Sequence, residues 1–92
     1  MINDFKHKGL KQFFLTGSTA KINAKHTKKL ELILSKLNTS VQIEDMNFPG
    51  SDLHPLQGNR NGFWSVSVNG NWRIVFKFDK GQAYEVDYID YH

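Results

Sequence analysis

Residues 63–92 read FWSVSVNGNWRIVFKFDKGQAYEVDYIDYH, and in this stretch the apolar side chains recur every second position. Trp64, Val66 and Val68 alternate with Phe63, Ser65 and Ser67. Trp72, Ile74, Phe76 and Phe78 alternate with Arg73, Val75 and Lys77, and Tyr84, Val86 and Tyr88 alternate with Glu85 and Asp87. A period of two is that of a strand with one face on a core, so the stretch predicts three antiparallel strands. A three-residue loop, Asn69 to Asn71, keeps the apolar faces together by pairing Val68 with Trp72 and Val66 with Ile74. The same parity across Lys80-Gly81-Gln82 pairs Phe78 with Tyr84, Phe76 with Val86 and Lys77 with Glu85. It also sets Arg73 opposite Ile89, diagonal to Asp87 and Tyr91, on the face away from the core. A regular last strand would put Asp90 on the core face with Tyr88, which predicts that the chain leaves the sheet near Ile89.

Working back toward the N-terminus, the period lengthens. Leu30, Ile33, Leu34 and Leu37 lie on one face of a helix that Asn23 can cap and that ends near Asn38. Leu10, Phe13 and Phe14 mark a shorter helix stopped by Gly17, and Ile2 to Phe5 can form a short first strand. Val41 to Phe48 has room for one more helical turn before Pro49-Gly50 breaks it. Strand, two helices and a meander predict an α+β fold with the helices on one sheet face. At 92 residues the chain is expected to form a single domain over residues 1–92.

Composition narrows the functional classes. No cysteine is present, which excludes a disulfide framework, a thiolate nucleophile and a cysteine-based zinc site and suits a reducing cytoplasm. The N-terminal residues lack the apolar run of a signal peptide, no stretch is long and apolar enough to span a bilayer, and a cytoplasmic protein without membrane attachment is expected. The net charge of +3 is unevenly spread: residues 1–36 carry eight lysines against Asp4 and Glu31. Lys25, Lys28, Lys29 and Lys36 fall on the polar face of the second helix. Such a face either is simply solvated or attracts a phosphate backbone by displacing counterions.

Three features can carry chemistry. His54 stands in Leu53-His54-Pro55-Leu56, where the proline keeps it extended. Arg73 is a lone guanidinium on the face opposite Trp72 and Ile74. Asp90-Tyr91-His92 places three polar or ionisable side chains in a row. Together they match cleavage of RNA through the neighbouring 2′-hydroxyl, which needs a base, an acid and positive charge beside the phosphate. Histidine titrates near neutrality, and arginine is a fixed bidentate cation. No cofactor is called for, and the four histidines, at 7, 26, 54 and 92, lack metal-ligand spacing. His7 and His26, set among lysines, read as surface residues. Glycine-rich phosphate loops and nucleophile-elbow motifs are missing.

The segments Phe5-Lys6-His7-Lys8-Gly9-Leu10, Leu53-His54-Pro55-Leu56 with Gly58 and Arg60, Gly62 to Phe76 with its Asn71-Trp72-Arg73-Ile74, and Tyr88 to His92 resemble the HigB toxins of the RelE/ParE superfamily, in the same order and at matching spacing. The resemblance implies a RelE-like, microbial-ribonuclease-type fold and a ribosome-dependent endoribonuclease that cuts messenger RNA in the decoding site. It implies a HigA-type antitoxin as partner, the 70S ribosome with its message as target, and operator DNA bound only through the antitoxin. It implies catalytic roles for His54, Arg73, Asp90, Tyr91 and His92, with either histidine as acid or base, Arg73 on the phosphate, Tyr91 on a base and Asp90 positioning its neighbours. Gln57 and Arg60, with Lys25, Lys28 and Lys29, are expected to contact RNA or ribosome. Where the family has a lysine after His-Pro-Leu this chain has Gln57, an amide that hydrogen-bonds phosphate without charge. Two other functions suit the composition: a non-enzymatic inhibitor of DNA gyrase of the ParE kind, and an RNA- or ribosome-binding module without chemistry. The conjunction of His54, Arg73 and His92 favours the nuclease.

Overall fold

Local chemistry sets the limits of both helices. In the computed structural model, which describes residues 1–91, helix α1 (Lys8–Thr16) starts where the His7 ring nitrogen Nδ1 accepts the N–H of Leu10 at 2.9 Å. It stops where Gly17 turns left-handed (φ 80°) and returns its N–H to the Phe13 carbonyl. Asn23 caps a 3₁₀ turn, Ala24–His26, and helix α2 (Thr27–Thr39) follows directly from that turn. Its Leu30, Ile33, Leu34 and Leu37 are at most 1% exposed. Each such side chain contributes about 1.5–3 kcal/mol on burial, so this stripe fastens α2 to the sheet. The expected further helical turn is a 3₁₀ turn at Ile43–Met46, with Met46 buried.

Four antiparallel strands form one sheet in chain order: β1 (His54–Pro55), β2 (Phe63–Asn69), β3 (Trp72–Asp79) and β4 (Gln82–Asp90). Both helices pack on the face that carries Val66, Ile74, Phe76, Val86 and Tyr88. The meander and the α+β arrangement are therefore as the periodicity requires. The expected first strand is reduced to two isolated parallel bridges, Ile2 to Ala83 and Phe5 to Val86, along the outer edge of β4.

The turns differ from expectation while the faces do not. Asn69 pairs with Trp72 around a two-residue turn, and Val68 is the extra residue of a bulge, beyond which Val66 faces Ile74 as expected. The second hairpin closes on Asp79–Gln82 around Lys80-Gly81, with φ of 50° and 78°. Two-residue turns with left-handed central residues match the twist of paired strands, and both hairpins adopt two-residue loops. The expected Phe78–Tyr84 and Lys77–Glu85 pairs are thereby replaced by Phe78–Ala83 and Lys77–Tyr84. Glu85, at φ 51°, is the irregularity that restores parity, so Val75 meets Asp87 and Arg73 meets Ile89. The expected departure near Ile89 does not occur: β4 runs to Asp90, and Tyr91 donates its N–H to the Asn71 carbonyl at 2.8 Å.

His26 is also not on the surface. It is 3% exposed, under the end of the sheet beside Trp72 and Tyr88, because the 3₁₀ turn rolls it inward while Lys25 stays in solvent.

The Glu85 bulge depends on the N-terminal segment, since Asp4 Oδ1 accepts the Glu85 N–H at 2.5 Å and the Asp4 carbonyl accepts that of Val86 at 3.2 Å. Asp4→Ala removes the acceptor for the bulge amide and is expected to lower stability by about 1 kcal/mol. Urea unfolding checks this: the midpoint should fall with the slope unchanged.

Candidate active site

Alternation along β3 sends Arg73 to the face opposite the helices, where its side chain is 15% exposed. Nε donates to Ser65 Oγ at 2.8 Å, Nη2 donates to the Asp52 carbonyl at 2.8 Å, and Nη1 reaches Asp52 Oδ2 at 3.4 Å. Ser65 sits on the neighbouring strand, one register step away opposite Val75. Asp52 comes from the segment that precedes β1 and adopts φ 48°, a left-handed conformation that Asp tolerates better than branched residues. These contacts engage all three guanidinium nitrogens and fix its plane.

His54 is exposed and held from the same residue. Its Nδ1 lies 2.9 Å from the Asp52 carbonyl and 3.5 Å from Asp52 Oδ1. A carbonyl can only accept, so Nδ1 carries a proton and Nε2 is left as the free nitrogen. Pairing of His54 with Ser65 and Pro55 with Trp64 brings this short strand against β2 and delivers the imidazole beside Arg73. Tyr91, exposed at the end of β4, completes an open hollow of about 280 Å³ lined by His54, Pro55, Leu56, Ser65, Arg73 and Tyr91. A base, a fixed cation and an aromatic hydroxyl converge there. A larger hollow of about 400 Å³ lies between α1 and α2, but Glu31 is its one ionisable lining group. The smaller one gathers the imidazole, guanidinium and phenol.

The other expected site residues are spread more widely. Asp90 pairs with Trp72, and its charge acts on His26 and Tyr88 on the helix side of the sheet. His92 lies outside the described residues. Gln57 is exposed just beyond the lining segment, at the start of the 3₁₀ turn Gly58–Arg60. Arg60 lines an adjacent depression with Lys6, Asn59, Phe63, Val75, Glu85 and Asp87. Lys25 and Lys28 are exposed, whereas Lys29 stands over the Phe48 ring at 5.8 Å, as Lys36 does at 5.3 Å. Among the described residues no group of three or more His, Asp or Glu is placed to hold a metal ion. Asp52 is the residue that sequence reasoning missed. Its principal contacts come from a main-chain carbonyl, which no side-chain motif reveals.

Comparison with known proteins agrees with this fold. The architecture matches that of the YoeB-YefM complex from Staphylococcus aureus over 100% of this chain and 93% of that chain, with a TM-score of 0.58 and 18% identity, a likeness of fold. The class is thus an α+β fold shared with that structure, with a polar site on the open face of its sheet. The chain is 44% identical to Endoribonuclease HigB of Proteus vulgaris, over the full length of both. The sequence profile of the RelE-like toxin of type II toxin-antitoxin system HigB matches residues 3–92, and the chain belongs to this HigB-like toxin family.

The left-handed backbone at Asp52 sets both His54 and Arg73. Asp52→Asn, which tolerates that conformation and keeps the carbonyl, should leave the Arg73 Nε–H resonance sharp in NMR spectra. Asp52→Val, β-branched and disfavoured at positive φ, should broaden or erase it, with a small change in thermal stability.

Proposed function

We propose that this type II toxin is an endoribonuclease that cuts messenger RNA in the decoding site of the 70S ribosome, using its own side chains as acid, base and cation. One observation carries the reading: His54 and Arg73, from different strands, share Asp52 as a common anchor and face one hollow with Tyr91. With Nδ1 occupied by the Asp52 carbonyl, His54 Nε2 is positioned to take the proton of the RNA 2′-hydroxyl. The 2′-oxygen then attacks the adjacent phosphorus, and the 5′-oxygen of the next nucleotide leaves with a proton that His92 supplies. Arg73 neutralises the charge that grows on the phosphoryl oxygens, its fixed plane needing little reorganisation at the moment of reaction. Tyr91 stacks on or orients a base. The products are a 2′,3′-cyclic phosphate and a 5′-hydroxyl.

The partner is a HigA-type antitoxin, through which alone operator DNA is bound, and the setting is the cytoplasm. Family membership supports an antitoxin partner, and among the described residues no helix is long and apolar enough to cross a membrane. Lys25 and Lys28, free of the Phe48 contact, are the members of the lysine face best placed for ribosomal phosphates.

The test is incubation of purified toxin with ribosomes programmed with a defined message, followed by mapping of the RNA ends. Internal cuts ending in cyclic phosphate are expected. Intact message together with inhibited DNA gyrase would instead establish the ParE-like function, and binding without cuts the non-catalytic one. Deleting His92 should slow cleavage by about 10²-fold, the usual contribution of a general acid or base, with an unchanged melting temperature; an undiminished rate removes it from the mechanism.

Gln57→Lys tests the departure from the family. An ammonium beside the phosphate makes a charge-assisted hydrogen bond that the amide cannot, and the gain grows as the transition state gathers charge. The single-turnover rate should rise about tenfold if about 1.4 kcal/mol is recovered, with ribosome affinity little changed. An equal or lower rate places Gln57 away from the phosphate.

A further inference from the structure

Behind the reactive face, on the helix side of the same strands, lies a second set of ionisable and aromatic groups that the reaction above does not use. His26 is 3% exposed and Tyr88 4%. His26 Nδ1 and the Tyr88 hydroxyl are 2.5 Å apart. The Tyr88 ring stacks on Trp72 at 4.5 Å between centroids, and the His26 ring meets Trp72 edge-on at 5.6 Å. His7, which caps α1, packs its ring against the other side of Tyr88 at 5.5 Å. A backbone hydrogen bond from Asn23 acts on the same phenol. In the neutral form one group of the pair donates to the other across this contact, the Tyr88 hydroxyl to a bare Nδ1 or an Nδ1–H to the phenol oxygen.

This cluster holds the two strands that carry the site. Trp72 adjoins Arg73 on β3 and pairs with Asp90 on β4, and Tyr88 lies three residues before Tyr91. The last ladder contact, Tyr91 N–H to the Asn71 carbonyl, extends from the same pair of strand ends. The Asp90 carboxylate acts on both His26 and Tyr88 through its charge. We propose that His26 and Tyr88 are positioning residues for RNA cleavage: their buried hydrogen bond, stacked on Trp72 and neighboured by Asp90, fixes the end of β4 that presents Tyr91, and protonation of His26 releases it. The proposal rests on the ribonuclease reading, but its device is separate from the groups that touch RNA.

The direction of the pH effect follows from the surroundings. Among the described residues, the titratable groups around His26 are Tyr88 and Asp90 on β4, His7 just before α1 and Lys25 beside it in its own turn; β3 contributes the uncharged Trp72. Burial holds the imidazole below its ordinary value of 6.5, with the Asp90 carboxylate acting against that shift. The unfolded or released state therefore binds the proton first. The arrangement is fully stable above pH 6.5 and weakens as pH falls below it. A protonated Nδ1 can only donate, so the Tyr88 hydroxyl has to turn and accept it, and a positive charge is left buried under the end of the sheet, which is what loosens the cluster.

His26→Asn and Tyr88→Phe test this. Asn places an amide oxygen near the position of Nδ1, accepts the Tyr88 proton and does not titrate. It is expected to keep cleavage of ribosome-bound message at neutral pH and to shift the acid limb of the single-turnover rate to lower pH. Tyr88→Phe, nearly isosteric, should stay folded yet lower that rate by on the order of tenfold to a hundredfold, the scale of a slightly misplaced group, with ribosome affinity unchanged. In Trp64→Phe protein, whose emission comes from Trp72 alone, fluorescence should be quenched on acidification, and the quench should vanish when His26→Asn is added. An acid limb that superimposes on that of the wild type, a Tyr88→Phe rate equal to wild type, or an acid quench that survives His26→Asn overturns the proposal. The emission measurement needs no RNA: if it behaves as expected while unmodified toxin leaves message intact, the ribonuclease reading has failed and not the cluster.

Discussion

Strand β3 has to serve two faces at once, and the molecule is arranged around that demand. Successive side chains of a strand point to opposite sides, so Trp72, Ile74 and Phe76 enter the core while Arg73 is driven to the open face. A slip of one residue would bury the guanidinium and expose the aromatics. The two bulges, at Val68 and Glu85, protect this parity against tight hairpin turns that would otherwise break it. Helix α2 then locks the register from below, because its four buried aliphatic residues fit only the apolar face.

Once Arg73 is committed to the open face, the remainder of the site has to be brought to it. The segment around Asp52 does so by crossing that face, its carbonyl serving the arginine and the His54 imidazole together. One acceptor shared by two functional side chains couples their positions, so neither can drift without the other. The opposite side of the sheet supplies the complementary restraint: Trp72, Tyr88 and His26 pack where β3 and β4 end, under Arg73 and Tyr91. The site is thus clamped between a main-chain anchor above the sheet and an aromatic stack below it.

Much of this was legible in the residues. Periodicity located the helices and the meander, and parity alone placed Arg73 opposite Ile89. The turns were not legible, because a two-residue loop with a bulge and a three-residue loop without one preserve the same alternation of faces beyond the bulge. Of the expected catalytic residues, the structure joins His54, Arg73 and Tyr91 in one hollow and pairs Asp90 with Trp72 on the adjoining strand. His26 escaped notice because its lysine neighbours dominate the composition there, while its burial depends on how a 3₁₀ turn meets the sheet. Asp52 escaped because a carbonyl has no signature in the side-chain code.

The pairing of the N-terminal segment with β4 bears on when the toxin comes into being. The Met1 amine donates to Gly81, Asn3 to Ala83, and Lys6 and His7 to Val86, so residues 1–7 are completed by a strand that follows them far along the chain. Chains emerge from the ribosome N-terminus first. The edge of the sheet, the bulge that sets the parity of Arg73, and the strand end bearing Tyr91 all wait for β4. Until β4 has emerged, the N-terminal segment therefore has no edge to pair with, and the open-face hollow that includes Tyr91 cannot close around Arg73.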